Sequence, residues 1–297
     1  MMPELPEVQT IVSDLNKKIK GDTITGFWSD WGKSIRGKTV GDFTKKIKNK
    51  KILGVRRIGK NIFLDLSGGK TLYLHLKMTG HLLVKKQETR DKKQKNYKLQ
   101  NSKNENYFFD RVNQYIRHKF YLKSGKILEF SDLRKFGKIV LDDRQIVNNL
   151  KEIKSLGIDA LNPKFTFRKF QEILKNKPKA KIGILLMDQN LIAGIGNIYR
   201  SEILFQAGIL PERAVKSISQ EDLHKIYDAI IKILKKAVKM RGTSDSDYRD
   251  TAGAPGNFQN FLKVYNREKQ KCQKCDTIIQ RKTLGQRSVF ICAKCQK

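Results

Sequence analysis

All four cysteines of the 297-residue chain lie near its C-terminal end, as Cys272-Gln273-Lys274-Cys275 and Cys292-Ala293-Lys294-Cys295. Two Cys-x-x-Cys pairs at this separation let four thiolates converge tetrahedrally on zinc, each pair on a tight turn and the intervening stretch forming a hairpin. Two disulfides are the rival reading, and they suit a cytosolic chain with no other cysteine poorly. Four protein thiolates leave no coordination position for water, so one structural Zn(2+) held by Cys272, Cys275, Cys292 and Cys295 is expected. The basic residues around them, among them Lys271, Lys274, Arg281, Lys282 and Arg287, turn this ribbon toward phosphates.

The rest of the composition points the same way. Sixty-two Lys and Arg against 29 Asp and Glu give a formal charge of +33, the electrostatic footprint of a polyanion binder, with nucleic acid the leading partner. No apolar run reaches the roughly 18 residues of a membrane span, and the start lacks the basic and apolar stretches of a signal peptide. A cytoplasmic, nucleoid-associated protein without a membrane partner is expected. At this length two domains are the default, each able to bury its own core.

The chain opens Met1-Met2-Pro3-Glu4-Leu5-Pro6-Glu7-Val8. A proline freed of the residues before it carries a secondary amine, able to form an iminium with a sugar aldehyde. Glu4 and Glu7 are then at hand as proton donor or charge stabiliser. The plainer reading is a helix opening with Pro6 in its first turn, and these eight residues alone favour it. Val8, Ile11, Val12, Leu15 and Ile19 continue at helical spacing to Gly21.

From Thr23 to Asp142 short β-like runs follow, at Ile52–Val55, Ile62–Leu66, Thr71–Leu76, Lys119–Leu122, Ile127–Phe130 and Lys138–Leu141, reading as a sandwich or barrel. Between Lys85 and Val112 the Lys/Asn/Gln-rich sequence has no periodicity, and a solvated or disordered loop insertion is expected, with a phosphate-binding arm as the alternative. From Leu150 the pattern is helical. Phe167–Lys175 reads as one helix; Ser219 caps a long one, with Asp222 completing the pair, Leu223, Ile226, Tyr227, Ile230, Ile231 and Leu234 buried, and Gly242 at its end. Between them Gly194 and Gly196 make a tight turn into a helix, either a packing turn or one whose free N–H groups bind phosphate. A Rossmann unit is excluded because no parallel strand is expected before the turn and the third glycine is missing.

Taken in order, Pro3–Val8, Arg56-Arg57-Ile58-Gly59-Lys60, His75-Leu76-Lys77-Met78-Thr79-Gly80, Asp132-Leu133-Arg134-Lys135-Phe136-Gly137, the Gly194–Glu202 stretch and the four-cysteine ribbon resemble bacterial formamidopyrimidine-DNA glycosylases. The resemblance implies an α+β multidomain fold: an N-terminal β-sandwich with a leading helix (1–148, with 85–112 as a loop insertion), a helix-two-turn-helix domain with a lesion-capping loop (149–262), and a zinc ribbon (263–297). It also implies a monomer acting on double-stranded DNA with damaged bases. Pro3 is then the nucleophile that expels the base, Glu4 the acid for ring opening, Lys60 the proton donor of β-elimination, and Arg287 the finger arginine tied to δ-elimination and phosphate binding. Asn197 holds the phosphate beside the lesion, and Glu7 belongs to the DNA-binding set. Met78, Arg134 and Phe136 fill the void left by the extruded nucleotide, which unaided reading assigns to the core or to a basic surface.

Three departures stand out. Leu133 replaces a proline, Gly183 replaces a lysine so that a contact there is either lost or taken over by Lys179 or Lys181, and the DNA-contacting histidine aligns near Ile116–His118, making His118 the candidate. His75, His81 and His224 read as structural. An oxidised-purine glycosylase and lyase is favoured over a pyrimidine-preferring relative by Leu5, Val8 and the Gly242–Asp250 segment. Pro3, Glu4 and Lys60 together argue against a non-catalytic zinc-ribbon DNA-binding protein. Because the proline nitrogen must be free, translation from Met2 or removal of both methionines is expected.

Overall fold

A computed structural model describes residues 2–86, 107–245 and 247–297. Met1, Ser246 and residues 87–106, the greater part of the expected insertion, lie outside the described residues. The first helix, α1 (Leu5–Ile19), has Pro6 in its first turn, and Glu7 in the same turn accepts the Glu4 N–H at 2.8 Å. Its apolar residues divide between two cores. Val8, Ile11, Val12, Leu15 and Ile19 pack into the β-rich part, whereas Leu5 belongs to the helical part. One helix thereby staples the two together.

Eight strands follow, β1 (Thr23–Ser29), β2 (Lys50–Ile58), β3 (Asn61–Leu66), β4 (Lys70–His75), β5 (Gly80–Lys86), β6 (Ile116–Leu122), β7 (Lys126–Asp132) and β8 (Lys138–Asp143), with α2 (Val40–Ile47) between β1 and β2. They form an antiparallel sheet in the order β5-β7-β6-β1-β2-β3-β4-β8. Among the described residues its two halves meet only where Thr23 and Ile24 pair with Lys51 and Lys50, and their inner faces share one core around Phe27, Phe43, Leu64, Leu74, Phe120 and Phe130. The expected runs all lie in strands or at their edges. Strands β1 and β5 and helix α2 were not anticipated: β1 is broken by a register shift at Gly26, and β5 buries Gly80 through Val84 consecutively, so neither shows an alternating period.

Both described ends of the expected insertion are built into the fold. Lys85 and Lys86 pair with Ile127 and Lys126 inside β5, and Lys85 forms an ion pair with Glu129 at 2.9 Å. At the other side Tyr107–Phe109 and Arg111–Gln114 form short 3-10 turns, held by Asp110 on Arg249 (2.7 Å) and by the buried Asn113 on the Gly253 carbonyl (3.2 Å).

After α3 (Arg144–Asn148) and α4 (Lys151–Lys154) come β9 (Ile158–Asp159), α5 (Phe167–Lys175), α6 (Ile182–Leu185), β10 (Ile192–Ala193), α7 (Asn197–Ala207) and α8 (Gln220–Lys239). Strand β10 runs parallel to β9, which corrects the expectation that no parallel strand precedes the Gly194 turn. With two residues each, the pair is a bridge and not a Rossmann unit. Ser219 caps α8, accepting the Asp222 N–H at 3.1 Å, and Leu223, Ile226, Ile230 and Leu234 are buried as expected, with Tyr227 and Ile231 at the margin. The C-terminal hairpin, β11 (Gln280–Leu284) and β12 (Arg287–Ile291), packs Cys272, Ile279, Phe290 and Cys292 into the same core as α7 and α8.

Candidate active site

Glycine at 194 and 196 is a requirement of close approach. A Cβ on Gly194, whose φ is +113°, would lie 2.5 Å from Leu5, and one on Gly196 would lie 2.4 Å from Glu4 Cδ. The contact brings Glu4 to the N-terminus of α7, where its carboxylate accepts the N–H groups of Gly196 (2.7 Å), Ile198 (2.9 Å) and Tyr199 (3.4 Å). The N–H groups that the glycine pattern offered to phosphate are therefore taken by the chain's own carboxylate. Burial pushes the Glu4 carboxyl above its ordinary pKa, opposed by the charge of Lys60 and by these N–H donors.

Pro3 is buried beside Glu4, and a narrow gap lined by Met2, Pro3, Ile198, Thr243 and Tyr248 reaches it. Glu7, expected among the DNA-binding residues, is instead 1% exposed. Three donors hold it inside the protein: the Glu4 N–H, the Tyr199 hydroxyl (2.5 Å) and the Thr243 N–H (2.7 Å). Burial, reinforced by the neighbouring Glu4 charge, raises its pKa to about 7.

Lys60 arrives from the turn between β2 and β3. Gly59 has φ +56°, and its N–H is held by Asp159 at 2.7 Å; Arg57 pairs with the same carboxylate and donates to Gln9 at 2.7 Å. The turn is thus pinned both to α1 and to β9. Lys60 is 6% exposed, and burial lowers its pKa against the pull of Glu4 and Glu7, with the Arg287 charge adding to the lowering. An ammonium in such a place can exchange protons nearer neutrality. A cavity of about 320 Å³ opens beside it, lined by Met2, Lys60, His75, Lys77 and Lys138. His75 reads as structural in the sequence, yet it faces this cationic cavity. Its Nδ1 accepts the Lys77 N–H at 2.9 Å, and burial with three nearby lysines lowers its pKa to about 3, so it is neutral at pH 7.

Met78, Arg134 and Phe136 come together on the surface. Arg134 donates to the Met78 sulfur at 3.2 Å, and its guanidinium lies 4.9 Å from the Phe136 ring centroid. Met78 and Phe136 are 38% and 53% exposed, the reverse of their unaided reading as core. Thr79 and Asp132 support the two turns beneath them, with Thr79 accepting the Arg134 N–H and Asp132 accepting the Gly137 N–H.

Asn197 opens α7, and its Oδ1 accepts a hydrogen bond from Arg200 at 2.6 Å. The same guanidinium donates to the Ser288 carbonyl at 2.8 Å, one residue from the exposed Arg287. Nothing in the sequence marks Arg200, which lies in the first turn of α7 between Tyr199 and Ser201. The four cysteines form no disulfide, and their Sγ atoms lie within 4.8 Å of one another, the closest pairs 3.3 and 3.4 Å apart. A tetrahedron with zinc–sulfur bonds of about 2.3 Å has edges of about 3.8 Å, so this donor set fits one zinc ion.

One expected DNA contact, His118, falls inside the protein. His118 is 1% exposed inside the sandwich, its Nε2 on Ser34 Oγ at 2.8 Å and its ring stacked on Phe27; burial lowers its pKa to about 4, so it is a neutral core residue. Lys179 is exposed on the connection between α5 and α6. The departure at Gly183 has a steric reason, since a Cβ there would lie 2.7 Å from Pro211 and 3.0 Å from Leu284.

Three family models match the chain in succession: a formamidopyrimidine-DNA glycosylase N-terminal domain over 2–139, a formamidopyrimidine-DNA glycosylase H2TH domain over 156–249, and a zinc finger found in FPG and IleRS over 269–297. The formamidopyrimidine-DNA glycosylase of Pelotomaculum thermopropionicum is 38% identical over 296 residues, covering 100% of this chain and 99% of its own. That of Carboxydothermus hydrogenoformans is 36% identical, with 100% of each chain covered. Among solved structures, Lactococcus lactis Fpg in complex with DNA containing an abasic site superposes with a TM-score of 0.82 at 28% identity, covering 99% of both chains. The same protein with Fapy-dG-containing DNA gives 0.81 at 28% identity, covering 99% of this chain and 100% of that one.

Proposed function

The chain belongs to the formamidopyrimidine-DNA glycosylase family, and we propose that Pro3, Glu4, Lys60 and Arg287 carry out its chemistry. It is a base-excision repair enzyme, a DNA glycosylase and abasic-site lyase acting on double-stranded DNA with damaged bases, with one structural zinc. In this reading the Pro3 amine bonds to the anomeric carbon of an extruded oxidised purine nucleotide, such as 8-oxoguanine or a formamidopyrimidine, and the base leaves with the glycosidic electrons. Glu4 gives a proton to the sugar ring oxygen as the ring opens to the iminium. Lys60 serves the β-elimination as proton donor, and Arg287 the δ-elimination, so that the strand is left gapped.

The observation that carries the reading is the convergence of three distant stretches. Pro3-Glu4 ahead of α1, Lys60 between β2 and β3, and the N-terminus of α7 meet in one buried cluster, with Glu4 bonded to α7 and electrostatically coupled to Lys60. Asn197 and Arg287 hold phosphate, and Met78, Arg134 and Phe136 fill the stack. Glu7 and His118 serve DNA binding only by positioning, the first through Glu4 and Thr243, the second through Ser34. Lys179 adds charge on the face of the helical part.

We infer domains at 1–148, 149–262 and 263–297; a β-rich core and a helical core that includes ribbon residues support the division, with Leu5 and Tyr248 packing across it. Among the described residues no helix is long and apolar enough to cross a membrane; a cytoplasmic, nucleoid-associated place is supported by the +33 charge. Single-turnover incision of duplexes carrying one 8-oxoguanine, one formamidopyrimidine or one oxidised pyrimidine tests the reading. Fastest incision of the purine lesions is expected, and preference for the pyrimidine would contradict it.

A further inference from the structure

Arg200 is the largest side chain among the fully buried described residues, at 1% exposure. Its guanidinium joins three elements. Nη2 donates to Asn197 Oδ1 of α7 (2.6 Å) and to the Ser288 carbonyl of β12 (2.8 Å), and Nη1 donates to the Gly183 carbonyl of α6 (3.4 Å). All three acceptors are neutral, and Nε has no hydrogen-bond partner. No ion pair joins Arg200 to a carboxylate among the described residues; besides its burial it feels the attraction of Glu4, the repulsion of Arg287 and a weaker influence of Tyr265. A buried cation held only by neutral groups is costly unless a counter-charge completes its surroundings.

We propose that Arg200 is the cationic floor of a phosphate subsite between α7 and the β11–β12 hairpin, completed when a DNA backbone phosphate beside the lesion supplies the counter-charge. Being buried, it does not touch the phosphate and acts as a positioning residue. It fixes the Asn197 carbonyl end inward, leaving the amide NH2 to donate, in part to Tyr265. It also holds the hairpin at Ser288, next to Arg287. Burial lowers the Arg200 pKa only to about 10, so the charge persists at pH 7. The inference rests on the assignment of Asn197 and Arg287 to the phosphate beside the extruded nucleotide.

The test is binding of the full-length, zinc-loaded protein to duplexes holding a non-cleavable abasic analogue, with each neighbouring phosphate replaced in turn by a neutral methylphosphonate. In the wild type one replacement is expected to weaken binding about tenfold, the scale of a charge-assisted contact. Arg200→Met should bind the unmodified duplex about tenfold more weakly and lose most of the penalty at that phosphate, with penalties elsewhere unchanged. Arg200→Lys, which keeps the charge without the three-way grip, should weaken binding while keeping the penalty. Equal methylphosphonate profiles in wild type and Arg200→Met would make Arg200 purely structural and overturn the proposal. So would a wild-type scan in which no single phosphate stands out, a result that needs no variant to fold. Binding is the readout, so an error in the catalytic assignments leaves the result intact; absence of wild-type preference for the abasic analogue over undamaged duplex would count against the proposed function instead.

Discussion

Glu4 accepts the Ile198 N–H at 2.9 Å, a bond between residues 194 apart in the chain. It places the carboxyl group next to Pro3 at the positive end of a helix, where an anionic form is favoured, while burial favours the neutral acid. A group balanced in this way can give up a proton and be stabilised afterwards.

That balance depends on the bare backbone at Gly196. In Gly196→Ala the new methyl group would lie 2.4 Å from Glu4 Cδ and displace the carboxylate. Base excision on an 8-oxoguanine duplex should fall about a hundredfold or more, as expected for a misplaced catalytic group. Stability should fall by about 1–3 kcal/mol, the usual cost of overpacking. Excision at the wild-type rate would detach Glu4 geometry from the chemistry.

Glu7 gives a pH signature. Its pKa rises from 4.5 to about 7 on folding, so the native state holds a proton that the unfolded chain releases above pH 4.5. Its contribution is complete below pH 4.5 and lost as pH rises through 7. Relative to Glu7→Gln, the wild type should therefore lose about 3 kcal/mol of stability between pH 4 and pH 8, whatever the offset at either end. Denaturant titrations of both proteins across this range measure it, and parallel stability curves would refute it.

Removing the exposed wedge should separate two activities. Met78, Arg134 and Phe136 touch one another on the surface, so Phe136→Ala should barely alter folding. It should slow excision of a paired, stacked base more than nicking of a preformed abasic site, where less stacking is lost on extrusion. Equal losses on both substrates would place Phe136 outside the extrusion step.

Chelating the zinc should unfold the ribbon and weaken DNA binding, and its effect should spread. Cys272, Ile279, Phe290 and Cys292 share a core with α7 and α8, whereas the β-sandwich core contains no ribbon residue. Amide exchange after chelation should rise in the ribbon and in α7 while β1–β8 stay protected. Unchanged DNA binding and incision in excess chelator would remove the ribbon from the mechanism.

The cysteine spacing, the α1 and α8 stripes and most strands were legible because each is a local pattern with its own period or spacing. Strands β1 and β5 were not, since a register shift at Gly26 and burial on both faces erase alternation. Within the site, the groups later found together around Glu4 were each visible as motifs. Their internal wiring was hidden, because the Glu4 contact with α7 and the Arg200 contact with Ser288 join residues far apart in the chain. Unaided periodicity placed Met78 and Phe136 in the core, and a lone His118 on a strand carried no sign of its Ser34 partner.

The central claim is that Pro3 is the nucleophile, and its chemistry requires a free secondary amine, so active enzyme must begin at Pro3 although Met1 and Met2 precede it in the sequence. Methionine removal favours a small second residue, so Met2-Pro3 is a suitable start and Met1-Met2 is not. Borohydride reduction during reaction with a lesion duplex, followed by intact-mass measurement and peptide mapping of the adduct, reads this directly. DNA attached to an N-terminal Pro3 is the predicted result. A fully active protein retaining Met1-Met2, with the adduct on Lys60 or another amine, would contradict it.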